Sequence, residues 1–203
     1  MVDTPRADFT LKPTLTGSWV RLRPFEPADV AALAPAFEDR ELLRLTGSAN
    51  RSDAPLRPQT PEQAEQFRQW RNAQPDRLDL AIVDLAGEAC VGEACVGEVV
   101  LNQWDAANRS CNFRILLSAS GRNRGLGTEA TRLVLAHGFE QLGLHRIALE
   151  VYAFNPRARR VYEKVGFIAE GTLRDALHYD GQWIDATVMS ILAPDWARHR
   201  GRP

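Results

Sequence analysis

The chain has 203 residues, of which 44% are hydrophobic and 25% are charged, and its formal net charge is −1. This size and composition suit one soluble globular domain, and the near-neutral charge excludes a general attraction to nucleic acid or to an anionic membrane. No apolar run reaches transmembrane length, the N-terminus carries no signal-peptide core, and three cysteines are an odd and sparse set for a disulfide framework. We therefore expect a cytoplasmic protein with no nucleic-acid partner and no membrane partner.

The first part of the chain predicts an arm, a strand and then helices. Residues 1–13 have no periodic pattern and are expected to form a loose arm before a single domain over residues 14–193. Residues 19–23 alternate apolar and charged side chains, which indicates a half-buried strand. Apolar residues at helical spacing over residues 29–45 then predict one helix broken near Pro35, or two short helices.

A further helix and strand follow a turn-rich loop. Thr60-Pro61-Glu62-Gln63 combines an N-cap threonine, a proline at the first helical position and a glutamine three residues after the cap. These signals predict a helix that runs to about Asn72. Residues 78–85 predict the next strand.

A five-residue duplication comes directly after this strand. Residues 87–91 and 92–96 both read Gly-Glu-Ala-Cys-Val. Because strand side chains alternate between faces, threading both copies through a ladder would turn every later side chain to the opposite face. We therefore expect one copy to be extruded as a longer hairpin loop or absorbed in a bulge. Cys90 and Cys95 have no further ligands nearby at a metal-binding spacing, so we expect small buried thiols rather than a metal site.

The centre of the chain combines a strand, a glycine-bearing turn and a long helix. Residues 111–117 predict the strand, and residues 128–142 predict the helix. The turn between them gathers backbone N–H groups at the positive end of the helix, which is a favourable arrangement for binding phosphate. Its residues are Arg122, Asn123, Arg124, Gly125, Leu126 and Gly127.

A second strand and a short basic helix follow this long helix. Residues 146–152 predict the strand. Asn155 is then an N-cap followed by a proline, and Gly166 ends the helix that begins there. Helical spacing places Asn155, Arg159 and Tyr162 on one side of it.

The last part of the domain predicts a β-hairpin. Residues 166–179 and 182–192 indicate two strands, and Asp180-Gly181 between them is a strong two-residue hairpin signal. Residues 194–203 are basic and are expected to form a loose tail.

Three of these motifs together resemble the GNAT acyl-CoA N-acyltransferases. The turn Arg122-x-x-Gly125-x-Gly127 is similar to the pyrophosphate loop of that family, Q/R-x-x-G-x-G/A. The later motifs, Leu144-His145-Arg146-Ile147, Asn155-Pro156 and Tyr162-Glu163-Lys164-Val165-Gly166-Phe167, resemble the RimJ/RimL-like branch, which includes ribosomal-protein N-terminal acetyltransferases. The resemblance runs from about residue 19 to residue 192.

The resemblance implies an α/β fold of the GNAT type, with a mixed, mostly antiparallel sheet of about seven strands, splayed at its centre, and helices on both faces. It implies acetyl-CoA as co-substrate, no metal, and a pantetheine arm that fills the gap between the two central strands. The residues that it assigns to the binding of acetyl-CoA are Leu116, Leu117, Arg122, Asn123, Arg124, Gly125, Leu126, Gly127, Thr128, Asn155, Arg159 and Tyr162.

The resemblance also implies an acid and a base. Tyr162 is the candidate general acid, because a phenol with a pKa near 10 is protonated at neutral pH and can donate to the leaving thiolate. Many relatives carry a glutamate on the strand before the loop, where this chain has Asn112. Glu98 is therefore a candidate general base, with Glu150 or a water chain as alternatives. No cysteine or serine nucleophile with a paired histidine is apparent, so we expect direct attack in a ternary complex.

The acceptor is expected to be a primary amine. An α-amine has a pKa near 8 and needs less help from a base than a lysine amine, whose pKa is near 10.4. The lack of an obvious base therefore slightly favours a peptide N-terminus as the acceptor. A polyamine, an aminoglycoside or another small amine is the alternative, and His178 is a weaker candidate for lining the acceptor site. A different class, a non-catalytic acyl-CoA-binding module, also stays open. A homodimer is a further expectation, because dimers are common among relatives.

One competing interpretation uses the same loop. Residues 125–130, Gly-Leu-Gly-Thr-Glu-Ala, also satisfy the dinucleotide fingerprint G-x-G-x-x-A, and Glu150 follows roughly twenty residues later. In that fingerprint, however, the strand runs straight into the first glycine and the acidic residue ends its own strand. Here residues 118–124 intervene, and Val151 and Tyr152 continue the strand after Glu150.

Overall fold

A computed structural model describes residues 7–56, 59–86 and 94–200. Its eight strands form one sheet in the order β1-β2-β3-β4-β5-β6-β8-β7, and among these strands only β5 and β6 pair in parallel. The predicted mixed, mostly antiparallel sheet is confirmed, with eight strands in place of about seven. The strands are β1 (Leu15–Thr16), β2 (Val20–Arg23), β3 (Leu78–Asp84), β4 (Ala94–Asp105), β5 (Ser110–Leu117), β6 (Arg146–Tyr152), β7 (Ile168–Tyr179) and β8 (Gln182–Leu192).

Six α-helices connect or flank these strands in the part of the chain that the structure describes. They are α1 (Pro27–Glu38), α2 (Arg40–Leu45), α3 (Pro61–Ala73), α4 (Leu126–Ala136), α5 (Pro156–Lys164) and α6 (Ala193–His199). The capping box predicted at Thr60 and Gln63 is present at the start of α3. The break expected near Pro35 falls at Asp39, because Pro35 lies in the last turn of α1 and the Asp39 side chain then caps α2.

The core lies on both faces of the sheet. All seven residues of β3 are buried, which requires a cover on each side. Leu80 packs in the main core with Val134 of α4, whereas its neighbour Ala81 packs in a separate cluster with Leu33 of α1. Since successive side chains of a strand point to opposite faces, α4 and α1 cover opposite faces of the sheet. The expectation of helices on both faces is confirmed.

The sheet opens between β5 and β6. The two strands pair only where Ser110, Cys111 and Asn112 face Arg146, Ile147 and Ala148. Beyond this point β5 continues to Leu117 against β4 alone, and β6 continues to Tyr152 against β8 alone. The predicted splay at the centre of the sheet is therefore confirmed, and within the described residues no strand pairs with β5 or β6 along the gap.

A bulge in β4 lies next to the duplicated pentapeptide. Ile82 of β3 pairs with Gly97 and Val83 pairs with Cys95, so Val96 is the extra residue on β4. Such a bulge bends the strand and increases its twist. The Val96 carbonyl also accepts a hydrogen bond from the Ser118 N–H at 2.8 Å, just beyond the end of β5. The bulge therefore connects β4 to the turn that leads toward α4.

The duplicated pentapeptide itself is described only from residue 94 onward. The last residues of the second copy begin β4. The prediction that one copy is extruded concerns residues 87–93, which lie outside the described residues, as does Cys90. Cys95 is buried, and burial raises the pKa of its thiol to about 12, which confirms a small buried thiol there.

Both expected loose termini are wrong over the described residues. Phe9 is 1% exposed and packs against Trp104, with ring centroids 5.4 Å apart. The Lys12 Nζ donates to three backbone carbonyls, those of Phe9, Gln74 and Arg77, at 2.6–2.7 Å. One buried aromatic ring and one lysine show no periodicity, so a sequence pattern cannot reveal this packing.

The C-terminal segment forms a helix instead of a tail. Ala193–His199 is α6, and Trp196 is buried with its indole N–H donating to Glu140 at 2.8 Å. None of the helices over the described ranges is both long and apolar enough to span a membrane.

Candidate functional site

The gap between β5 and β6 opens into a cleft of about 320 Å³. It is lined by β5, β6, the turn before α4, and parts of α2, α4 and α5. The structure brings together at this cleft most of the residues singled out from the sequence: Glu98, Leu116, Leu117, Arg122, Asn123, Gly125, Gly127, Thr128, Glu150, Asn155 and Tyr162. Arg124, Leu126 and Arg159 belong to the same segments but do not line it.

The turn before α4 has the backbone geometry of an anion site. Gly125 is the N-cap residue with φ +81°, a left-handed conformation that favours glycine, and no side chain of a described residue caps the helix. The first N–H groups of α4 are therefore available at the cleft, where the helix dipole favours a negative charge. A Cβ at Gly127 would lie 2.9 Å from the Leu117 Cδ1 atom, so glycine lets the helix approach β5 closely.

The two arginines of this turn are paired with carboxylates. The Arg122 guanidinium binds Asp39 at 2.6 Å and Glu41 at 2.8 Å. The Arg124 guanidinium binds Asp84 of β3. The positive potential at the turn therefore comes mainly from the backbone N–H groups of α4. The pairing of Arg122 with α2 was missed in the sequence, because more than eighty residues separate the partners.

Tyr162 lies in the wall of the cleft. Its side chain is 8% exposed and makes edge-on contacts with Phe113 and Phe167, at centroid distances of 6.0 and 5.8 Å. Burial raises the pKa of its phenol to about 12, because the charged phenolate is poorly solvated there. Its hydroxyl makes no hydrogen bond to a described residue. A protonated, unengaged phenol at a cleft can donate a proton or a hydrogen bond to a ligand.

Asn155 caps α5 with one end of its side chain. Its Oδ1 accepts a hydrogen bond from the Ala158 N–H at 3.1 Å. This leaves the amide NH₂ as a donor at the cleft, so the same side chain can serve both as a helix cap and as a ligand contact. Arg159, one turn further along α5, instead pairs with Glu163 at 2.9 Å on the partly exposed side of the helix.

The two candidate carboxylates at the cleft differ in their environment. Glu98 binds the guanidinium of Arg71, a buried residue of α3 that also binds Asp79 at 3.0 Å. Glu150 is exposed on β6, and its carboxylate makes no ion pair or hydrogen bond with any residue in the described ranges. Glu98, the candidate base expected from the sequence, is therefore the paired carboxylate. The sequence could not indicate this pairing, because Arg71 lies 27 residues earlier in the chain.

A second, wider cavity of about 720 Å³ adjoins the cleft. Phe37, Leu43 and Ser48 line both, and residues 49–56 form most of the remaining wall. This wall is held to the β7–β8 turn, since the Asn50 carbonyl accepts from the Asp180 N–H at 3.0 Å. The Asp180 carboxylate in turn accepts from the Ser52 N–H at 2.8 Å. Residues 49–56 gave no functional signal in the sequence.

The histidines do not line the cleft. The His178 ring packs against Trp183, with centroids 4.8 Å apart. His137 is partly buried in the π-helical turn after α4, and burial lowers the pKa of its imidazole. Over the residues that the structure describes, no group of three or more metal-ligating side chains comes together.

An open, mostly antiparallel sheet with a helix N-terminus at its central gap is the fold of the GNAT acetyltransferases. The family model described as Acetyltransferase (GNAT) domain matches residues 20–168. This match covers more than half of the chain, so the chain belongs to that family. The parallel, doubly wound sheet of a dinucleotide-binding domain is absent from the described residues, and the dinucleotide interpretation is therefore wrong.

Known relatives differ in what their names say of the acceptor. The spermidine N(1)-acetyltransferase of Escherichia coli K12 is 32% identical over 103 residues, which are 50% of this chain and 55% of that protein. YdaF of Bacillus subtilis, provisionally named a ribosomal N-acetyltransferase, is 31% identical over 98 residues, 48% of this chain and 54% of that protein. The chain thus spans about half the length of the curated relatives that it matches.

Solved structures share the fold. The spermidine N-acetyltransferase from Vibrio cholerae, in complex with CoA and spermine, superposes with a TM-score of 0.75 at 22% identity. The alignment covers 89% of this chain and 99% of that one. An acetyltransferase of the GNAT family from Bacillus anthracis superposes with a TM-score of 0.72 at 20% identity, over 90% of this chain and 99% of that one.

Proposed function

We propose that this protein is an acetyl-CoA-dependent N-acetyltransferase that modifies a primary amine by direct attack in a ternary complex. One observation carries the proposal. The cleft in the splayed sheet joins an uncapped helix N-terminus at Gly125 to a buried, protonated phenol at Tyr162. The first group is suited to a diphosphate, and the second is suited to a leaving thiolate.

The residues of the cleft fit acetyl-CoA along its length. Backbone N–H groups of residues 125–127 would hold the diphosphate, and the Asn155 amide would donate to the pantetheine arm. The edge of β5 that lacks a strand neighbour at Leu116 and Leu117 would pair with the same arm or polarise the thioester carbonyl. Acetyl-CoA supplies the activated acyl group, and this chain supplies its orientation and the proton transfers.

Tyr162 is the proposed general acid. Its pKa of about 12 keeps the phenol protonated over the physiological pH range, so it can donate as the carbon–sulfur bond breaks. For the base, the structure favours Glu150 over Glu98. A base must be free to accept a proton from the amine, and the Glu98 carboxylate already accepts a hydrogen bond from the Arg71 guanidinium. Glu150 has no such partner among the described residues.

The charges around the acceptor side favour a peptide N-terminus over a polyamine. Among the described residues, three acidic ones line the cleft and the adjoining cavity, and two of these, Glu98 and Asp53, are each paired with an arginine. The arginines that line the same walls are Arg40, Arg51, Arg114, Arg122 and Arg157. Of these arginines, Arg51 and Arg122 are themselves paired with carboxylates, which leaves three arginines and one carboxylate without an ion pair among the described lining residues. A polyamine carries several positive charges and would be repelled by this excess of cations. A single α-amine next to Glu150 suits this surface better, which also agrees with the RimJ/RimL-like motifs.

A panel of amines tests the proposal. Thiol release from acetyl-CoA is measured with peptides that have a free N-terminus, with the same peptides blocked at the N-terminus, with spermidine and with an aminoglycoside. We expect release with the free peptides and none with the blocked peptides. Turnover on spermidine alone would contradict the proposal that the acceptor is a peptide N-terminus. Binding of acetyl-CoA without turnover on any amine would favour the alternative, a non-catalytic acyl-CoA-binding module.

The quaternary structure is proposed separately. We expect a homodimer, as the resemblance implies, and size-exclusion chromatography with light scattering measures it directly. A monomer at micromolar concentration would contradict this expectation without affecting the proposed chemistry.

A further inference from the structure

We propose that Arg122 is a positioning residue that fastens helix α2 to the turn before α4, so that the acceptor side of the cleft keeps its shape. The contact is observed in the structure independently of activity, whereas its kinetic consequence rests on the proposed function. The resemblance assigned Arg122 to acetyl-CoA, but its surroundings indicate a different task.

Each nitrogen of the Arg122 guanidinium has a partner within the protein. Nε donates to the Leu117 carbonyl at 3.0 Å, Nη1 donates to Glu41 at 2.8 Å, and Nη2 donates to Asp39 at 2.6 Å. The Arg122 side chain is only 14% exposed. A planar guanidinium fixes its partners in direction as well as in distance, so these bonds set the position of α2 relative to the end of β5.

Asp39 has two structural tasks at once. Its Oδ1 accepts from the backbone N–H groups of Glu41 and Leu42, at 2.9 and 3.2 Å, and so caps α2. Its Oδ2 accepts from Arg122. Burial by itself would raise the pKa of Asp39, but the hydrogen bonds from Leu42 and Arg122 outweigh it and the pKa is lowered. The carboxylate is therefore charged at neutral pH and available for the pair.

Helix α2 needs such an anchor because it is short. It has six residues, and a helix of this length is not stable on its own in water. Leu42, Leu43 and Thr46 of this segment line the cleft, and Leu43 also lines the adjoining cavity. Any freedom of α2 would therefore change the shape of this part of the cleft, which we assign to the acceptor, whereas the N–H groups at the start of α4 belong to a different helix.

Arg124 offers a matched control. It belongs to the same turn and carries the same charge, but its partner is Asp84 on β3 and it does not line the cleft. Replacing it removes one positive charge from the turn without touching α2. Any effect that is caused only by the loss of positive charge near the diphosphate should therefore be shared by Arg122→Gln and Arg124→Gln.

Hydrogen exchange tests the contact itself. In the free protein, Arg122→Gln should speed amide exchange over residues 39–46 by about tenfold, and Arg124→Gln should leave exchange there unchanged. Asp39→Asn keeps a side-chain oxygen for the cap but loses the charged partner, so it should show a smaller increase of the same kind. If Arg122→Gln left exchange of residues 39–46 unchanged, the fastening role would be overturned.

Binding and kinetics then test the consequence. Arg122→Gln should raise the KM of the amine about tenfold, while the Kd of acetyl-CoA, measured by calorimetry without the amine, stays within about twofold. A tenfold weaker Kd of acetyl-CoA with an unchanged KM of the amine would overturn the proposal and make Arg122 a phosphate ligand. If the wild-type protein turned over no amine, the proposed function would fail, and exchange over residues 39–46 would still decide the contact.

Discussion

The Glu98 carboxylate in the wall of the cleft accepts a hydrogen bond from the guanidinium of Arg71, which is buried in α3. Arg71 is held from its other side by Asp79, 3.0 Å from its Nε. Burial alone would lower the pKa of Arg71, but the two carboxylates outweigh burial and raise it. Glu98 is thus one member of a buried ionic cluster, whereas Glu150 across the gap has no such partner in the described part of the chain.

The first prediction separates the two glutamates. Glu150→Gln should lower kcat about 100-fold or more, because a general base contributes on this scale, with little change in unfolding free energy. Glu98→Gln should instead lower the unfolding free energy by about 1.5–3 kcal/mol, because it leaves the buried Arg71 with one charged partner fewer. Urea denaturation and steady-state kinetics on both variants measure the two effects. A larger loss of kcat in Glu98→Gln, at unchanged stability, would show that Glu98 is the base.

The second prediction concerns Tyr162. Tyr162→Phe should lower kcat about 10- to 100-fold and leave the Kd of acetyl-CoA nearly unchanged, because the aromatic packing is kept and only the proton donor is lost. Since burial raises the pKa of this phenol to about 12, the wild-type kcat should not fall on the alkaline side until well above pH 10. An alkaline decline at pH 9, or an unchanged kcat in Tyr162→Phe, would rule out the acid role.

The third prediction uses the left-handed glycine of the turn. Gly125→Ala places a side chain in open space, so it causes no clash, but φ +81° costs about 1–2 kcal/mol for a residue with a Cβ. We expect a lower melting temperature and also a weaker Kd for acetyl-CoA, because the strained turn moves the first N–H groups of α4.

Gly181→Ala is the control for this strain. Gly181 has φ +80° in the β7–β8 turn, again with no atom within 4 Å of an added Cβ. It should lower the melting temperature similarly and leave the Kd of acetyl-CoA unchanged. Equal affinities in all three proteins would show that the turn at Gly125 does not hold the diphosphate.

The fourth prediction concerns acid stability. A hydrogen bond from Arg146, and to a smaller extent one from Ser190, lowers the pKa of Glu170 to about 2, from 4.5 in the absence of such partners. A carboxylate with a depressed pKa contributes stability that is present above its unfolded pKa and is lost as the pH falls through the folded pKa. The unfolding free energy should therefore decrease between about pH 5 and pH 2.

Glu170→Gln should flatten this decrease. The Glu170 side chain is more than a third exposed, so solvent screens its contribution to acid stability. The difference between the two proteins should therefore shrink further in 0.5 M salt, about five times the concentration at which the Debye length is 10 Å. Urea midpoints at pH 3, 4 and 6 for both proteins measure it. Identical slopes with pH in the two proteins would show that this pair adds nothing to acid stability.

The amino-acid sequence by itself determined the elements around the gap. The glycines at 125 and 127, the Asn155-Pro156 helix start and the Asp180-Gly181 turn act through backbone conformation, which depends on the residues at those positions and little on distant contacts. Helix periodicity and strand alternation likewise reflect burial within each element. These local signals predicted the elements and the phosphate-binding turn, whereas the splayed sheet, which the structure has, was implied by the resemblance to the GNAT family.

The tertiary structure alone decided which charged groups are free to contact a ligand and which are paired within the protein. Arg122 is paired with Asp39, and Glu98 with Arg71, through contacts across 83 and 27 residues of chain. Phe9 and Trp196 are buried although nothing in their neighbourhood is periodic. Coulombic and packing partners are set by distance in space, and a distance in space between remote residues exists only once the whole chain has folded. For this reason the sequence could propose the acid, the base and the phosphate turn, but it could not show which of them the fold leaves unpaired.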